Sequence, residues 1–140
     1  MKKLAVLLFA FTFTSLLAEA QISAGVNMFS SNTFVTIGSN PDKPLFGEGR
    51  ISTGGDIDLE LMGGYNLVQK EDVNFYLGMA LGIWDNRRDN DFYVGIPFGL
   101  LVKPFGGSKN LGLVLEATPV FPSDYSSYFR AGFGFKYTFR

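Results

Sequence analysis

In the stretch 128–140, YFRAGFGFKYTFR, the residue type changes at every second position. Phe129, Ala131, Phe133, Phe135, Tyr137 and Phe139 fall on one side, and Tyr128, Arg130, Gly132, Gly134, Lys136, Thr138 and Arg140 on the other. A period of two is that of a strand with unlike faces. A nearly unbroken aromatic face opposed by glycines and charges suits a strand with lipid on one side and a narrow polar interior on the other.

The same design recurs upstream. Residues 56–68 alternate Ile57, Leu59, Leu61, Gly63, Tyr65 and Leu67 with Asp56, Asp58, Glu60, Met62, Gly64, Asn66 and Val68. Residues 73–84, 92–102 and 111–119 repeat the pattern, and the face opposite the apolar row is small in 73–84 (Gly78, Ala80, Gly82). Polar turns separate them at 69–72, 106–109 and 122–124, and the highly charged 85–91 is expected to be an exposed loop. Pro97 has no amide proton to give a ladder, so a bulge or local break is expected there. The first third supplies shorter strands at 21–29, 33–38 and 45–53, with turns at 30–32, 40–44 and 53–55.

Together these predict an all-β, up-and-down antiparallel transmembrane β-barrel of eight strands, with six as the alternative if 21–38 form one bulged strand. An even number brings both ends of the barrel domain to one side, and eight is the usual lower limit for a closed membrane barrel.

Residues 1–20 carry Lys2 and Lys3, an apolar run and Ala18-Glu19-Ala20, the pattern of a cleaved signal peptide, leaving 21–140 as one barrel domain. Lys2, Lys3 and Glu19 would leave with it, turning 12 basic and 13 acidic residues into 10 and 12. That near-neutral balance argues against a nucleic-acid partner. The chain has no Cys and no His, which excludes disulfides, a lipid-modified amino-terminal Cys, and the commonest general base and metal ligand. No cofactor is expected.

A soluble sandwich or lipocalin-like barrel, binding a small apolar ligand, also alternates but turns its apolar face inward. Against it stand the glycines on the polar face, where a solvated strand carries Thr, Lys or Glu, and apolar rows long enough for the ~9–11 residues of a tilted spanning strand. Aromatics also gather near strand ends: Trp84, Phe92, Tyr93, Phe121, Tyr125 and Tyr128 at one rim, and Tyr65, Phe75, Phe105, Tyr137 and Phe139 at the other. Two such girdles are expected at the two membrane interfaces.

The leader, the hairpins and the final strand resemble the small outer-membrane β-barrel proteins of Gram-negative bacteria, of the OmpA/OmpX type. Gly134-Phe135-Lys136-Tyr137-Thr138-Phe139 is similar to the G-x-x-aromatic-x-aromatic signal of that family. The resemblance implies an outer-membrane location, with membrane lipid and the barrel-assembly machinery as partners and Gly134, Tyr137 and Phe139 as the recognition residues.

With apolar faces outward, Glu48, Asp56, Asp58, Glu60 and Glu116 point inward with Arg50, Lys103, Arg130 and Lys136. Buried charges cost several kcal/mol each unless paired, so an interlocked network filling the interior is expected, with Glu116 and Arg130 as its leading pair. Eight strands leave an interior just wide enough for side chains, which argues against a porin. The expected role is structural or surface-binding and non-enzymatic. A lipid acyltransferase or deacylase is the alternative, with a carboxylate such as Glu60 or Glu116 as base. Arg87 and Arg88 are the candidate outer-loop contacts for an unidentified surface ligand.

Overall fold

The computed structural model describes residues 21–53, 57–86, 89–124 and 126–140. Alternating apolar residues, with turn residues between, give nine antiparallel ladder segments: β1 (Ile22–Phe29), β2 (Thr33–Ser39), β3 (Leu45–Thr53), β4 (Ile57–Gln69), β5 (Val73–Asn86), β6 (Asp89–Gly95), β7 (Phe98–Val102), β8 (Leu111–Pro122) and β9 (Tyr128–Thr138). β1 to β5 pair in sequence order, β8 pairs with β9 and β9 with β1, and β6 and β7, which do not pair with each other, both pair with β5 and β8. The segments β6 and β7 are therefore one barrel strand, and the fold is a closed eight-stranded up-and-down barrel. Closure leaves no sheet edge with unpaired backbone groups.

The faces divide as the alternation predicts. Ile37, Leu45, Leu61, Phe92 and Phe129 are each at least 60% exposed on the outside, while Glu48, Arg50, Glu60, Glu116, Arg130 and Lys136 are buried inside. A soluble sandwich or lipocalin-like barrel would have the opposite polarity.

Pro97 interrupts the ladder without a bulge. Gly95 pairs with Ala80 and Phe98 with Leu77, so both strands advance three residues across the interruption and the register is kept. The bulge lies instead on β4, where the register shifts between Asn66 and Val68 and places both Leu67 and Val68 outside.

Within the expected loop 85–91, residues 85, 86 and 89–91 are ladder residues instead. The β5–β6 ladder continues through Trp84↔Asp91 and Asp85↔Asn90 to Asn86↔Asp89, because backbone bonding extends a hairpin whatever the side chains, once both faces are polar. Arg87 and Arg88, the turn glycines Gly54 and Gly55, Asp56, Tyr125 and the leader 1–20 lie outside the described residues.

Candidate functional site

Charges on four strands converge inside the barrel. β3 supplies Glu48 and Arg50, two residues apart and so on one face; β4 supplies Glu60, β8 Glu116, and β9 Arg130 and Lys136. Arg50, fully buried, is the hub. Its Nε donates to Glu48 Oε1 at 2.7 Å and its Nη1 to Glu60 Oε1 at 3.1 Å. Nη1 and Nη2 also donate to Glu116 Oε1 and Oε2 at 2.7 and 2.8 Å, a fork on both carboxylate oxygens. Arg130 Nη2 donates to both oxygens of Glu60, at 2.8 and 2.7 Å, and Lys136 Nζ donates to Glu48 Oε2. Three carboxylates and three cations are thus joined in one network.

Neutral donors complete it. Tyr93 OH donates to Glu60 Oε2 at 2.6 Å, Thr118 Oγ1 to Glu116 Oε1 at 3.2 Å, and Tyr76 OH to Glu116 Oε2. Aromatic faces cover the cations: the Arg130 guanidinium sits 4.7 Å from the Phe29 ring and 5.1 Å from Phe34, and Lys136 Nζ 5.9 Å from Phe46.

The expected Glu116–Arg130 pair is not made. In the β8–β9 register Arg130 lies across from Thr118, and Glu116 faces Gly132. The two charged side chains therefore stand at different heights, and each finds its partner across the barrel, Glu116 on Arg50 and Arg130 on Glu60. Lys103, also expected in the network, is bound at one end of the barrel, and Asp58 lies towards the other. Asn32 donates to Asp58 at the end carrying the turn 30–32, and Lys103 binds Asp42 Oδ1 at 2.6 Å at the end where β1 begins and β9 finishes.

At that second end the turn 40–44 is folded across the barrel. Asn66 Nδ2 donates to the carbonyls of Pro41 and Lys43, both at 2.7 Å, and Asn74 Nδ2 to Asp42 Oδ1 at 2.8 Å. Arg140 also donates to Asp42. Burial by itself would raise the pKa of Asp42, but hydrogen bonds and charge from Lys103, with Asn74 and Arg140, outweigh it and hold the carboxyl below its ordinary value.

Sequence reasoning missed the interior aromatics. Phe34, Phe46, Tyr76 and Tyr93 are buried, and Phe46, Met62, Tyr76 and Ala80 form an apolar layer beside the charges. Parity held the signal, since each lies an even number of residues from a charge or polar group on its own strand. Trp84, Tyr93 and Tyr128 are not members of an outward girdle. The Trp84 ring packs 5.0 Å from Tyr93 and 6.4 Å from Tyr128 on the inner side of the rim, whereas Phe92 and Phe121 face outward. At the other rim Tyr65, Phe105, Tyr137 and Phe139 are exposed. The inner-face glycines accommodate these rings: a Cβ on Gly82 would lie 1.9 Å from the Tyr93 ring.

Gly134, Tyr137 and Phe139 lie at the closing seam. Gly134 pairs with Asn27 and Tyr137 with Ala24 on β1, and the outward rings of Tyr137 and Phe139 meet edge to face at 5.0 Å. Among the described residues no group of His, Cys, Asp and Glu is arranged to hold a metal ion.

No family model matches the chain, and no curated protein matches it. Among solved structures it is similar to the N-terminal β-barrel domain of OprF from Pseudomonas aeruginosa, with a TM-score of 0.65 and 14% sequence identity over 86% of this chain and 96% of that domain. At that identity the likeness is one of fold.

Proposed function

We propose that this chain is an outer-membrane β-barrel protein with an interior filled by side chains, acting as a structural or surface-binding component rather than an enzyme. The observation that carries the reading is the inverted polarity: the large apolar side chains of the strands stand outside, Leu45 at 73% and Leu61 at 64% exposure, while Arg50 and Glu60 are fully buried. In water that exterior would be an apolar patch far larger than a soluble monomer carries; in a bilayer it is the lipid-facing band. The likeness to the OprF barrel domain supports the outer membrane as that bilayer.

The interior supports a plug over a pore or a catalytic centre. Each of Glu48, Glu60 and Glu116 accepts from a cation and at least one further donor, so none is held as a free base. Fractionation tests the whole reading: the protein should partition with outer membranes, need detergent for extraction and migrate differently on a gel before and after heating. Recovery as a freely soluble protein would end it.

Lipid and the assembly machinery are the partners of this reading. Tyr137 and Phe139 lie outward at the strand that closes the barrel, where such machinery would meet them. Replacing both with Ser should leave export intact and abolish insertion, and normal membrane levels of that variant would remove the assembly role.

A further inference from the structure

Two prolines meet at one level of the barrel wall, on the strand formed by β6 and β7 and on its neighbour β8. In an antiparallel ladder, two residues of a bonded pair each donate to the other's carbonyl. Gly78 N donates to Pro97 O at 2.7 Å, and Ile96 N donates to Pro119 O at 3.1 Å. These are bonded pairs on opposite edges of the same strand, one to β5 and one to β8. Proline has no N–H, so neither return bond is made: Pro97 gives nothing to Gly78 O, and Pro119 gives nothing to Ile96 O.

The two losses fall at consecutive residues, so the strand is held by half of its usual bonds on both sides at one height. Ile96 is 41% exposed on the apolar exterior, and hydrocarbon offers no water to replace a missing backbone donor. The inner side of the wall here carries Ala80, Gly95, Thr118 and the buried Pro97 itself, none of which can supply the missing backbone donors. Register is the same on either side of the interruption, which means that the wall can part here and re-form without slippage.

We propose that the Ile96–Pro97 level, with Pro119 beside it, is a built-in hinge at which the barrel wall opens locally while the ladders above and below stay paired. Opening there parts the Ile96–Pro97 segment from β5 and β8 while β6 and β7 stay paired, and its consequence is a transient gap in the wall at that level, facing the lipid.

Amide hydrogen–deuterium exchange of the folded protein in detergent micelles, followed residue by residue by NMR, tests this. The surviving donors, the amides of Gly78 and Ile96, should exchange roughly tenfold or more faster than bonded amides at the same depth in the β3–β4 and β8–β9 ladders. Pro119→Val, at a half-buried outward position, restores a donor to Ile96 O and should return the Ile96 amide to the slow range. Equal protection of Gly78, Ile96 and the reference ladders overturns the hinge, and so does an Ile96 exchange rate unchanged by Pro119→Val. Should that variant not fold, the comparison within the unaltered protein decides by itself.

Discussion

Arg50 grips both carboxylate oxygens of Glu116 across the barrel, at 2.7 and 2.8 Å, from strands that stand opposite one another in the closed sheet. A bond of this kind ties two walls together, which no neighbouring-strand pair can do. Because both side chains are buried, either one left alone would be an uncompensated charge in a poorly solvated interior.

The first prediction follows from that fork. Glu116→Ala should cost about 3–5 kcal/mol in unfolding experiments in detergent. In double-mutant cycles Arg50 and Glu116 should show a coupling of about 1–3 kcal/mol, while Glu116 and Arg130, which make no direct contact, should show less than about 0.5 kcal/mol. A stronger coupling for the second pair would mean that the neighbouring-strand arrangement exists in solution.

Membrane embedding is tested at Leu61. At an exposed site of a soluble protein Leu→Arg is nearly neutral, whereas on a lipid face it costs about 2–4 kcal/mol near the midplane. Leu61→Arg should show the larger cost, and Val114→Thr, on the buried inner face, a smaller one. Measured folding into vesicles distinguishes them, and a neutral Leu61→Arg would count against the lipid-facing exterior.

Two glycines should respond in opposite ways to the same change. A Cβ on Gly132 would lie 2.0 Å from the Met28 carbonyl oxygen, a backbone atom of the partner strand that cannot move without opening the β1–β9 seam. Gly132→Ala should therefore cost about 1–3 kcal/mol as overpacking, or prevent closure outright. At Gly63 a Cβ meets nothing within 4 Å, and Gly63→Ala should stabilise the strand by about 0.5–1 kcal/mol. Thermal unfolding of both variants checks the contrast, and equal effects would show that the seam is not so tightly packed.

The pH dependence concerns Asp42, whose carboxyl is held below its ordinary value by Lys103, Asn74 and Arg140 against the opposing effect of burial. A depressed folded-state pKa contributes stability that is fully present above the unfolded value of about 3.9, and that is lost as pH falls through the lower folded value. The contribution of Asp42 should be flat from neutral pH down to about 4 and decline below it. Asp42→Asn should lower stability at neutral pH and shrink that acid-side decline. An acid limb unchanged in the variant would show that the turn 40–44 is held by the bonds from Asn66 to the Pro41 and Lys43 carbonyls instead.

Which side of each strand faces out was readable from the chain, because a strand alternates by geometry and the apolar row and the charges fall on opposite parities. For that reason β3 at Leu45–Thr53 and the inward positions of Glu48, Arg50, Glu60 and Lys136 are visible in the residue pattern alone. The partners of those charges were not. Whether Glu116 meets Arg130 or Arg50 depends on the β8–β9 register, which puts Thr118 across from Arg130, and on a barrel narrow enough for side chains to cross it. The same holds for Pro97, which keeps register because the ladders on both sides fix it, and for Asp85, Asn86 and 89–91, where backbone bonding carries the hairpin past the point at which side-chain alternation stops. Alternation is a property of one strand; pairing, height and reach belong to the closed sheet, and only the tertiary structure decides them.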